Sequence, residues 1–517
     1  MAIGDLYEAG LSSVRESVVS EHFMSRIGHD PTLGLYTAAD YRSKAINIPS
    51  SVLYGELLPI LKAESLAFVE RRVAATRIRA QQNFLEYGRS SPNEVSTLDF
   101  IAEVMFDRQF ARATKEGVSR AALSKHMEGL VQQRLPVHMV IPALPFKCTS
   151  PFKARGRDPD LGEVGFLLSL FEVARVIDVF YSEALGGGEH DPACFSVICD
   201  GRRFAVLAVQ SEENISQYQD GLRRWVAALG IGDHMEVLDY EEVLATKLPK
   251  DLLARKGSIR GKVYAQYVQH MQPLLDVEDM DRSLVQAIRD EIDPETYYSE
   301  GRFVPLFKSL IHTIRYQEVA RFAQHHGRDY EDLHAVLTRN IFTPFIKLSE
   351  DELHSIARHV ADPDSPLDVS DAEVYEYLRR AMLNQAWDAT MQYLAEIRSD
   401  RDLELDPLST CFPHAIRWTI HAKRGQFTIQ SNPACGFQVQ PWHGAGVFKR
   451  TRGRLKLCSL PIVLLEGKDA VPVVVGDDDT AENGPEQAVF YVSSDVPFSS
   501  TDELLAALAS GFTRRRR

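Results

Sequence analysis

The sequence has few cysteines, no long apolar run and no signal-like start. Six cysteines occur among 517 residues without regular spacing, which predicts free thiols in a reducing compartment rather than a disulfide scaffold. The opening residues MAIGDLYEAG lack the basic start and apolar core of a secretory signal. No stretch approaches the roughly 18 apolar residues that a membrane-spanning helix needs. These absences predict a cytoplasmic protein that does not enter a membrane.

Basic residues are also fewer than acidic residues. The chain has 58 basic and 72 acidic residues, a formal net charge of −14, and a field of that sign repels nucleic acid and anionic lipid. The glycine-rich dinucleotide and phosphate loops, the zinc-binding HExxH, the hydrolase GxSxG and the redox CxxC are absent as well. The sequence therefore disfavours a nucleic-acid partner and offers no motif for a metal or an organic cofactor.

The amino-acid composition is that of a large globular protein: 44% of residues are apolar and 25% charged. Helical periodicity dominates the beginning and the middle of the chain, whereas short apolar strands alternate with helices between them. The predicted fold class is α/β, with a Rossmann-like core sheet, an N-terminal helical extension and a large helical insertion. The predicted segments are 1–134 (extension), 135–249 (first half of the core), 250–404 (insertion) and 405–517 (strand-rich second half and tail).

The individual elements follow from the same patterns. Apolar residues at three- and four-residue spacing predict helices, and short apolar runs bounded by turn residues predict strands. The predicted helices are 51–87, 97–116, 161–181, 216–229, 301–325 and 370–398. The predicted strands are 138–144, 195–199, 235–238, 416–422, 426–430, 462–465, 471–475 and 488–493.

Three polar clusters follow or continue predicted strands, where ligands of open α/β sheets gather. The first, 144–163, places Lys147, Lys153, Arg155 and Arg157 in one loop. In an acidic protein such a loop suits an anionic ligand. A solvated basic loop would have the same composition, so both interpretations stay open.

The second cluster is CDGRRF at 199–204, in which Asp200 ends a strand, although an Asp-Gly pair is equally typical of a plain hairpin turn. The third is FPHAIRWTIH at 412–421. If this string is a strand, alternation puts Arg417 and His421 on one face, where they can bind an anion and move a proton. Pro441-Trp442-His443 completes the set.

These strings, in this order, resemble the isocyanide (isonitrile) synthase family, also called pyoverdine/dityrosine biosynthesis proteins. The resemblance covers under a third of the chain. It is carried by LPFKCTSPFKARGRDPDLGE (144–163), VICDGRRFAVL (197–207), Tyr218, FPHAIRWTIH (412–421) and PWHGAGV (441–447). Two positions depart from the family pattern: Val206 stands where an aspartate is usual, and Asp158 where an apolar residue is usual.

The resemblance implies an enzyme that joins the α-amine of an amino acid to ribulose 5-phosphate, whose C2 becomes the isocyanide carbon. In that chemistry Lys147, Lys153 and Arg417 are the expected cationic anchors of the phosphate. The condensation, elimination and cleavage steps all move protons near neutral pH. His421 and His443 are the expected catalytic groups for these transfers.

Asp200 is expected to act beside the histidines, either by holding the substrate ammonium or by accepting a proton. Asp160, Arg202 and Trp442 are the further expected substrate contacts. The resemblance implies no cofactor beyond ribulose 5-phosphate as co-substrate, and it leaves the amino acid and the oligomeric state open. Two alternatives remain: a formyl-amino-acid-forming enzyme of the same family, and a non-catalytic protein that binds a sugar phosphate or an amino acid.

Overall fold

The computed structural model describes several stretches of the chain, which form two compact units. The described residues are 36, 38–114, 118–147, 154–203, 205, 210–275, 388–420, 426–429, 441–451, 454–476, 487–496, 500 and 502–507. The larger unit comprises 33–203, 212–246 and 408–517, and the smaller comprises 1–32, 204–211 and 247–407. Most of the predicted insertion lies outside the described residues, so the four-segment division stays a prediction.

The larger unit contains eleven described strands in two sheets. In chain order they are β1 (Ile46–Ile48), β2 (Ala111–Thr114), β3 (His138–Pro142), β4 (Cys194–Cys199), β5 (Met235–Asp239), β6 (Ile416–Thr419), β7 (Phe427–Ile429), β8 (Ala445–Thr451), β9 (Arg454–Leu460), β10 (Val471–Val475) and β11 (Phe490–Val492).

The helices cover most of the remaining described chain. They are α1 (Ala38–Lys44), α2 (Leu58–Gln82), α3 (Thr97–Phe106), α4 (Arg120–Gln133), α5 (Leu161–Ala184), α6 (Glu212–Leu229), α7 (Tyr240–Lys247), α8 (Lys250–Leu275), α9 (residues 388–402), α10 (Pro407–Cys411) and α11 (Ile462–Glu466). A short helix at Ser50–Val52 and a π-helical turn at Leu53–Leu57 lead into α2. Among the described residues no helix is both long and apolar enough to span a bilayer.

The six-stranded sheet has the order β2-β7-β6-β3-β4-β5, and all its pairs are parallel except β2 with β7. From β3 the chain moves outward through β4 to β5, and then returns to place β6 and β7 on the other side of β3. The sheet therefore has a topological switch point between β3 and β6, and ligands of such sheets bind outside the strand carboxyl ends at that point. This confirms the predicted α/β class with a Rossmann-like core.

The centre of this sheet is mostly apolar. In β3, Met139, Val140 and Ile141 are completely buried, as expected of a parallel strand covered on both faces. On the neighbouring strand Trp418 is also completely buried, and its ring contacts the ring of Phe195 with centroids 5.7 Å apart. The packed centre holds the strand ends in fixed positions, so the loops that follow them start from a rigid edge.

The second sheet is mixed and has the order β1-β10-β11-β8-β9. It meets the first half of α5, where a side chain at Gly446 would collide with the backbone of Gly162. The close approach of these two glycines lets the backbone of β8 lie directly on the beginning of α5. Helix α5 follows β3 of the parallel sheet in the chain and packs against β8 of the mixed sheet. It therefore connects the two sheets.

Several predicted elements differ from those found. Residues 462–465 form helix α11 instead of a strand, and α3 ends at Phe106 and is followed by β2 within the predicted helix 97–116. A short apolar run such as Ile462–Leu465 has no periodicity that separates strand from helix. Strands β8 and β9 were not predicted. The predicted helix 301–325 lies outside the described residues.

In the smaller unit, α8 and α9 pack around a buried ion cluster. Lys256 Nζ lies 2.5 Å from Glu396 Oε1 and 2.6 Å from Asp400 Oδ1, and Arg260 Nη1 lies 3.2 Å from Glu396 Oε2. The Lys256 side chain is 5% exposed, so these carboxylates supply the partners that a buried ammonium requires. The cluster stabilises the pairing of α8 with α9.

Candidate active site

The loops after β3 and β4 touch at the carboxyl edge of the parallel sheet. A Cβ on Gly201 would collide with the carbonyl oxygen of Pro145, so the tight turn after Asp200 fits only a glycine. The loop after β3 also contains Leu144 with φ at 56°, in the left-handed region that costs a leucine energy. The sequence strings that begin at Leu144 and at Asp200 are therefore in direct contact.

Lys147 lies at the centre of a buried network at this edge. Its Nζ lies 2.8 and 2.9 Å from the two carboxylate oxygens of Glu163 and 3.0 Å from Asp160 Oδ2. It also donates to the carbonyl oxygen of Pro441 over 3.1 Å. All three side chains are at most 2% exposed. The three N–H groups of the ammonium thus have three acceptor groups, from two distant parts of the chain.

Asp160 and Glu163 owe their positions to the start of α5. Asp160 is the N-cap: its Oδ1 accepts from Gly162 N over 2.7 Å, while Asp160 N donates to Glu163 Oε2 over 2.9 Å, which completes a capping box. Asp160 Oδ1 also accepts from Gly446 N over 3.0 Å. One carboxylate therefore caps the helix and holds the glycine-containing string at 441–447.

Tyr218 of α6 extends the network by donating its hydroxyl to Glu163 Oε1 over 3.1 Å. We call Lys147, Asp160, Glu163 and Tyr218 the Lys147 network. The sequence resemblance includes Glu163 and Tyr218 but implies no role for them. The spacing of Asp160 and Glu163, just before the apolar helix, is the capping-box pattern that could have paired them.

Burial controls the ionisation of this network. Burial alone lowers the pKa of Lys147, but the Coulombic attraction of Asp160 and Glu163 outweighs it and raises the pKa above its ordinary value. Burial raises the pKa of Asp160, Lys147 opposes that rise and Glu163 adds to it. Burial, followed by the charge of Glu163, raises the pKa of Tyr218. The lysine thus stays an ammonium and the tyrosine a phenol.

The raised pKa of Asp160 predicts a pH effect on stability. A carboxyl group whose pKa is higher in the folded chain contributes most to folding at acid pH, and the contribution is lost as the pH rises through the raised pKa. We therefore expect the destabilisation caused by Asp160→Asn to shrink as the pH rises from about 4, by about 1.4 kcal/mol per pKa unit. Urea unfolding of the unmodified protein and of Asp160→Asn at several pH values measures this change. A difference in unfolding free energy that stays constant with pH would contradict the raised pKa of Asp160.

This environment is not the one expected of Lys147 from sequence. The predicted phosphate anchor would keep N–H groups for an anion, whereas the ammonium lies between two carboxylates and a carbonyl oxygen and its side chain is 0% exposed. Asp160, expected to contact substrate, binds the lysine and two backbone amides instead. The described geometry makes both residues internal supports of the site.

Two other described cations of the first two strings, Arg155 and Arg202, also have protein partners. Arg155 makes a two-pronged ion pair with Glu466, with both N–O distances 2.6 Å, and donates to Tyr36 O over 2.7 Å. Arg202 Nη1 lies 3.0 Å from Glu242 Oε1 and 3.4 Å from Asp239 Oδ1. The ion pair of Arg155 thus links its loop to α11. The Arg202 side chain lies near Asp239 at the end of β5.

The remaining described residues of the prediction lie around the same edge. Arg417 is half-buried in β6 opposite Val140 of β3, at the switch point. Asp200 is half-buried directly after β4. Trp442 is 3% exposed, with its ring against those of Phe166 and His443, at centroid distances of 6.1 and 5.8 Å. Trp442 and His443 directly follow Pro441, so the Lys147 network sets their position.

Three positions named in the sequence analysis lie outside the described residues: Lys153, Val206 and the predicted catalytic His421. The described part of β6 ends at Thr419, before His421. The roles assigned to Lys153 and His421 therefore stay predictions, as does the effect of the valine at 206.

A cavity of about 210 Å³ opens beside the Lys147 network. It is lined by α2, the first half of α5, the loop before β2, the end of β7 and strand β9, and it includes Gly162 and Pro441 next to the network. Its polar lining residues are Glu64, Ser65, Gln109, Ser169, Glu172, Lys456 and Ser459. Its large apolar lining residues are Leu61, Phe68, Phe110, Leu168, Ile429, Leu455 and Leu457.

None of these charged cavity residues was a predicted site residue. They come from three distant segments, around positions 64, 172 and 456, and none belongs to a recognisable short motif. Only folding brings such residues together. Within the described residues no group of three or more metal-binding side chains was found.

Part of the chain is similar to proteins of a known family. Residues 127–304 match the family described as pyoverdine/dityrosine biosynthesis protein. An L-tryptophan isonitrile synthase of Fischerella ambigua is 28% identical over 162 residues, covering 31% of this chain and 47% of that protein. An L-tyrosine isonitrile synthase of Pseudomonas aeruginosa is 32% identical over 153 residues, covering 30% of this chain and 44% of that protein.

The chain spans about half the length of these curated relatives. The crystal structure of the PvcA protein from Pseudomonas aeruginosa aligns over 72% of this chain and 90% of that one, with 18% identity and a TM-score of 0.36. A likeness at that score carries no argument about the fold. Over residues 127–304 the chain resembles the pyoverdine/dityrosine biosynthesis protein family, and this match and the isonitrile synthase relatives agree with the resemblance of the sequence strings.

Proposed function

We propose that this protein is an isocyanide synthase that converts the α-amine of an amino acid to an isocyanide, with ribulose 5-phosphate as the carbon donor. The family match and the named activities of the relatives support isocyanide formation. The carbon donor rests on the family resemblance of the sequence strings. No metal or organic cofactor is part of the proposal.

The observation that carries the proposal is that the quoted strings converge at one sheet edge. The Lys147 network joins 144–163 to Tyr218 and to 441–447. Gly201 brings the string after β4 against Pro145. Arg417 lies on β6, beside β3, where the switch point favours a ligand. A ligand site of an open α/β sheet requires such a shared edge, because the loops that bind the ligand follow the strand carboxyl ends.

In the proposed enzyme the site residues divide into supports and reacting groups. The Lys147 network fixes the loop after β3 and the Trp442-His443 segment. Arg417 holds the sugar phosphate with Lys153, because phosphate binding needs cationic donors. His443 and His421 transfer protons in the condensation and elimination steps, and Asp200 holds the substrate ammonium or accepts a proton.

The proposal is tested by incubating the full chain with ribulose 5-phosphate and each proteinogenic amino acid and analysing the products by mass spectrometry. The expected result is an isocyanide from at least one amino acid, formed only when ribulose 5-phosphate is present. Formamide as the first product would favour the formyl-amino-acid alternative. No product from any amino acid, with ligand binding intact, would favour a binding protein.

A further inference from the structure

We infer that the outer face of α2 is a contact surface at which two copies of this chain pair, with their α2 helices antiparallel. Three features of α2 point to a second copy as the partner. They are the apolar side chains that the helix exposes, their spacing along one face, and the match of sizes and charges between two antiparallel copies. The inference goes beyond the proposed function and does not depend on it.

Helix α2 carries apolar residues on two opposite faces. The inner face packs against α3 and α5, and its buried residues include Leu58, Leu61, Val69 and Ala80. The opposite face, which we call the outer seam, consists of Ala67, Arg71, Ala74, Ile78, Gln81 and Leu85. The first of these is half-buried and the other five are exposed. A helix with one partner carries its apolar residues on a single face, so the outer seam indicates a second partner.

The residues of the outer seam follow one another at alternating spacings of four and three residues. This repeat keeps side chains on the line along which two helices pack. Ile78 is 57% exposed, and Leu85, in the 3₁₀ turn that follows α2, is 71% exposed. Single exposed apolar residues are common on protein surfaces. Two large ones, seven residues apart on such a line, are typical of a helix–helix contact.

The sizes of the seam residues match when two copies run antiparallel, with the twofold axis between Arg71 and Ala74. Ile78 of one copy then faces Ala67 of the other, and Arg71 faces Ala74, so a long side chain meets an alanine in each layer. Leu85 faces Ile60, which lies seven residues before Ala67 and is half-buried. Knobs and holes of paired helices require this alternation of large and small side chains.

Charge complementarity selects the same arrangement. Glu70 and Arg77 lie on one flank of the seam, and in the antiparallel pair Glu70 of one copy lies beside Arg77 of the other. Glu70 is exposed. Arg77 is 40% exposed, and its Nη2 lies 2.5 Å from Glu183 Oε1. A guanidinium has five N–H groups, so Arg77 can take a second carboxylate and keep Glu183. The twofold symmetry gives two such ion pairs.

A parallel pair would use neither match. It would place Ile78 against Ile78 and Ala74 against Ala74, which holds the helix axes apart at the large residues and leaves voids at the alanines. It would also separate Glu70 from Arg77 of the other copy by about 10 Å along the axis, at 1.5 Å per residue. The antiparallel pair is self-complementary and closed, as in most homodimers.

The first test measures the mass of the full chain by sedimentation velocity over a range of protein concentrations. We expect a concentration-dependent dimer. Ile78→Asp and Leu85→Asp should each weaken association about thirtyfold or more, the scale of an interface hot spot. Both should keep the melting temperature, because these side chains are exposed in the single copy.

Tyr54→Asp is the matched control. It adds the same charge at another exposed apolar residue, 47% exposed in the π-helical turn before α2 and outside the seam, and should dimerise normally. A monomer at every concentration, or a dimer that the two seam substitutions leave unchanged, would overturn the inference.

Charge reversal tests the proposed ion pairs. Glu70→Arg and Arg77→Glu should each form a weaker homodimer, because like charges then face each other across the seam. Mixing the two variants should restore association, since both contacts regain opposite charges. Association in the mixture no stronger than in either variant alone would contradict the pairing of Glu70 with Arg77.

Disulfide cross-linking tests the direction of the helices. Ala67→Cys and Ile78→Cys should cross-link to each other when the two variants are mixed and mildly oxidised, and neither should cross-link to itself. The unmodified chain, whose described cysteines are buried or half-buried, is the control. Ile78→Cys that cross-links to itself would show a parallel pair, and no cross-link in the mixture would place the contact elsewhere. Either result would overturn the inference.

Discussion

Replacing Lys147 with methionine is expected to lower the free energy of unfolding by about 3–5 kcal/mol, because it leaves Asp160 and Glu163 buried together without their cation. Uncompensated charges in an apolar interior are among the most costly changes a protein can suffer. Urea unfolding monitored by tryptophan fluorescence measures this loss. If Lys147 were instead an exposed phosphate anchor, its replacement would weaken ribulose 5-phosphate binding and leave stability nearly unchanged.

Two further variants make the result specific. Lys147→Met combined with Glu163→Gln should recover part of the lost stability, since the double variant no longer buries the Glu163 carboxylate without its cation. Lys44→Met, which removes an exposed lysine paired with Asp469, should change stability little. Equal stabilities for Lys147→Met and Lys44→Met would show that the Lys147 network does not support the fold.

Replacing His421 with asparagine is expected to lower turnover about a hundredfold or more, the usual effect of losing a proton-transfer group. Asparagine keeps hydrogen bonding but does not titrate near neutral pH. Alternation along the IRWTIH string predicts that His421 shares the face of Arg417. A phosphate held by that arginine would raise the histidine's pKa, whereas the arginine alone would lower it. Ribulose 5-phosphate affinity should fall much less than turnover.

His414 provides the control for this variant. It lies in the same string and is exposed, so His414→Asn should retain normal turnover. Near-normal turnover in His421→Asn would contradict the catalytic assignment and move the proton-transfer role to His443, which directly follows Trp442 near the Lys147 network.

The parallel core could be predicted because its strands are short apolar runs separated by helices. Predictions at 138–144, 195–199 and 235–238 correspond to β3, β4 and β5, and the helices at 161–181 and 216–229 to α5 and α6. The β8–β9 hairpin was missed, although Leu455 and Leu457 alternate with polar neighbours. The glycines at 444 and 446 resemble turn residues, and only their packing against Leu460 and Gly162 explains them.

The meeting of the quoted strings at one sheet edge could be predicted, but their internal pairing could not. Charged residues at strand ends predict a shared edge, because parallel strands bring their carboxyl ends together. Burial cannot be read from the composition of a basic loop, so the sequence does not predict that Lys147 pairs with Asp160 and Glu163. The cavity residues could not be predicted at all, since their proximity exists only in the folded chain.

The most direct test of the central claim is the fate of the carbon at C2 of ribulose 5-phosphate. The full chain would be incubated with its amino-acid substrate and with ribulose 5-phosphate labelled with ¹³C at C2, and the product examined by mass spectrometry and ¹³C NMR. The account predicts that the label appears in the isocyanide carbon. An isocyanide without the label would contradict the carbon donor, and the absence of any isocyanide would contradict the proposed activity.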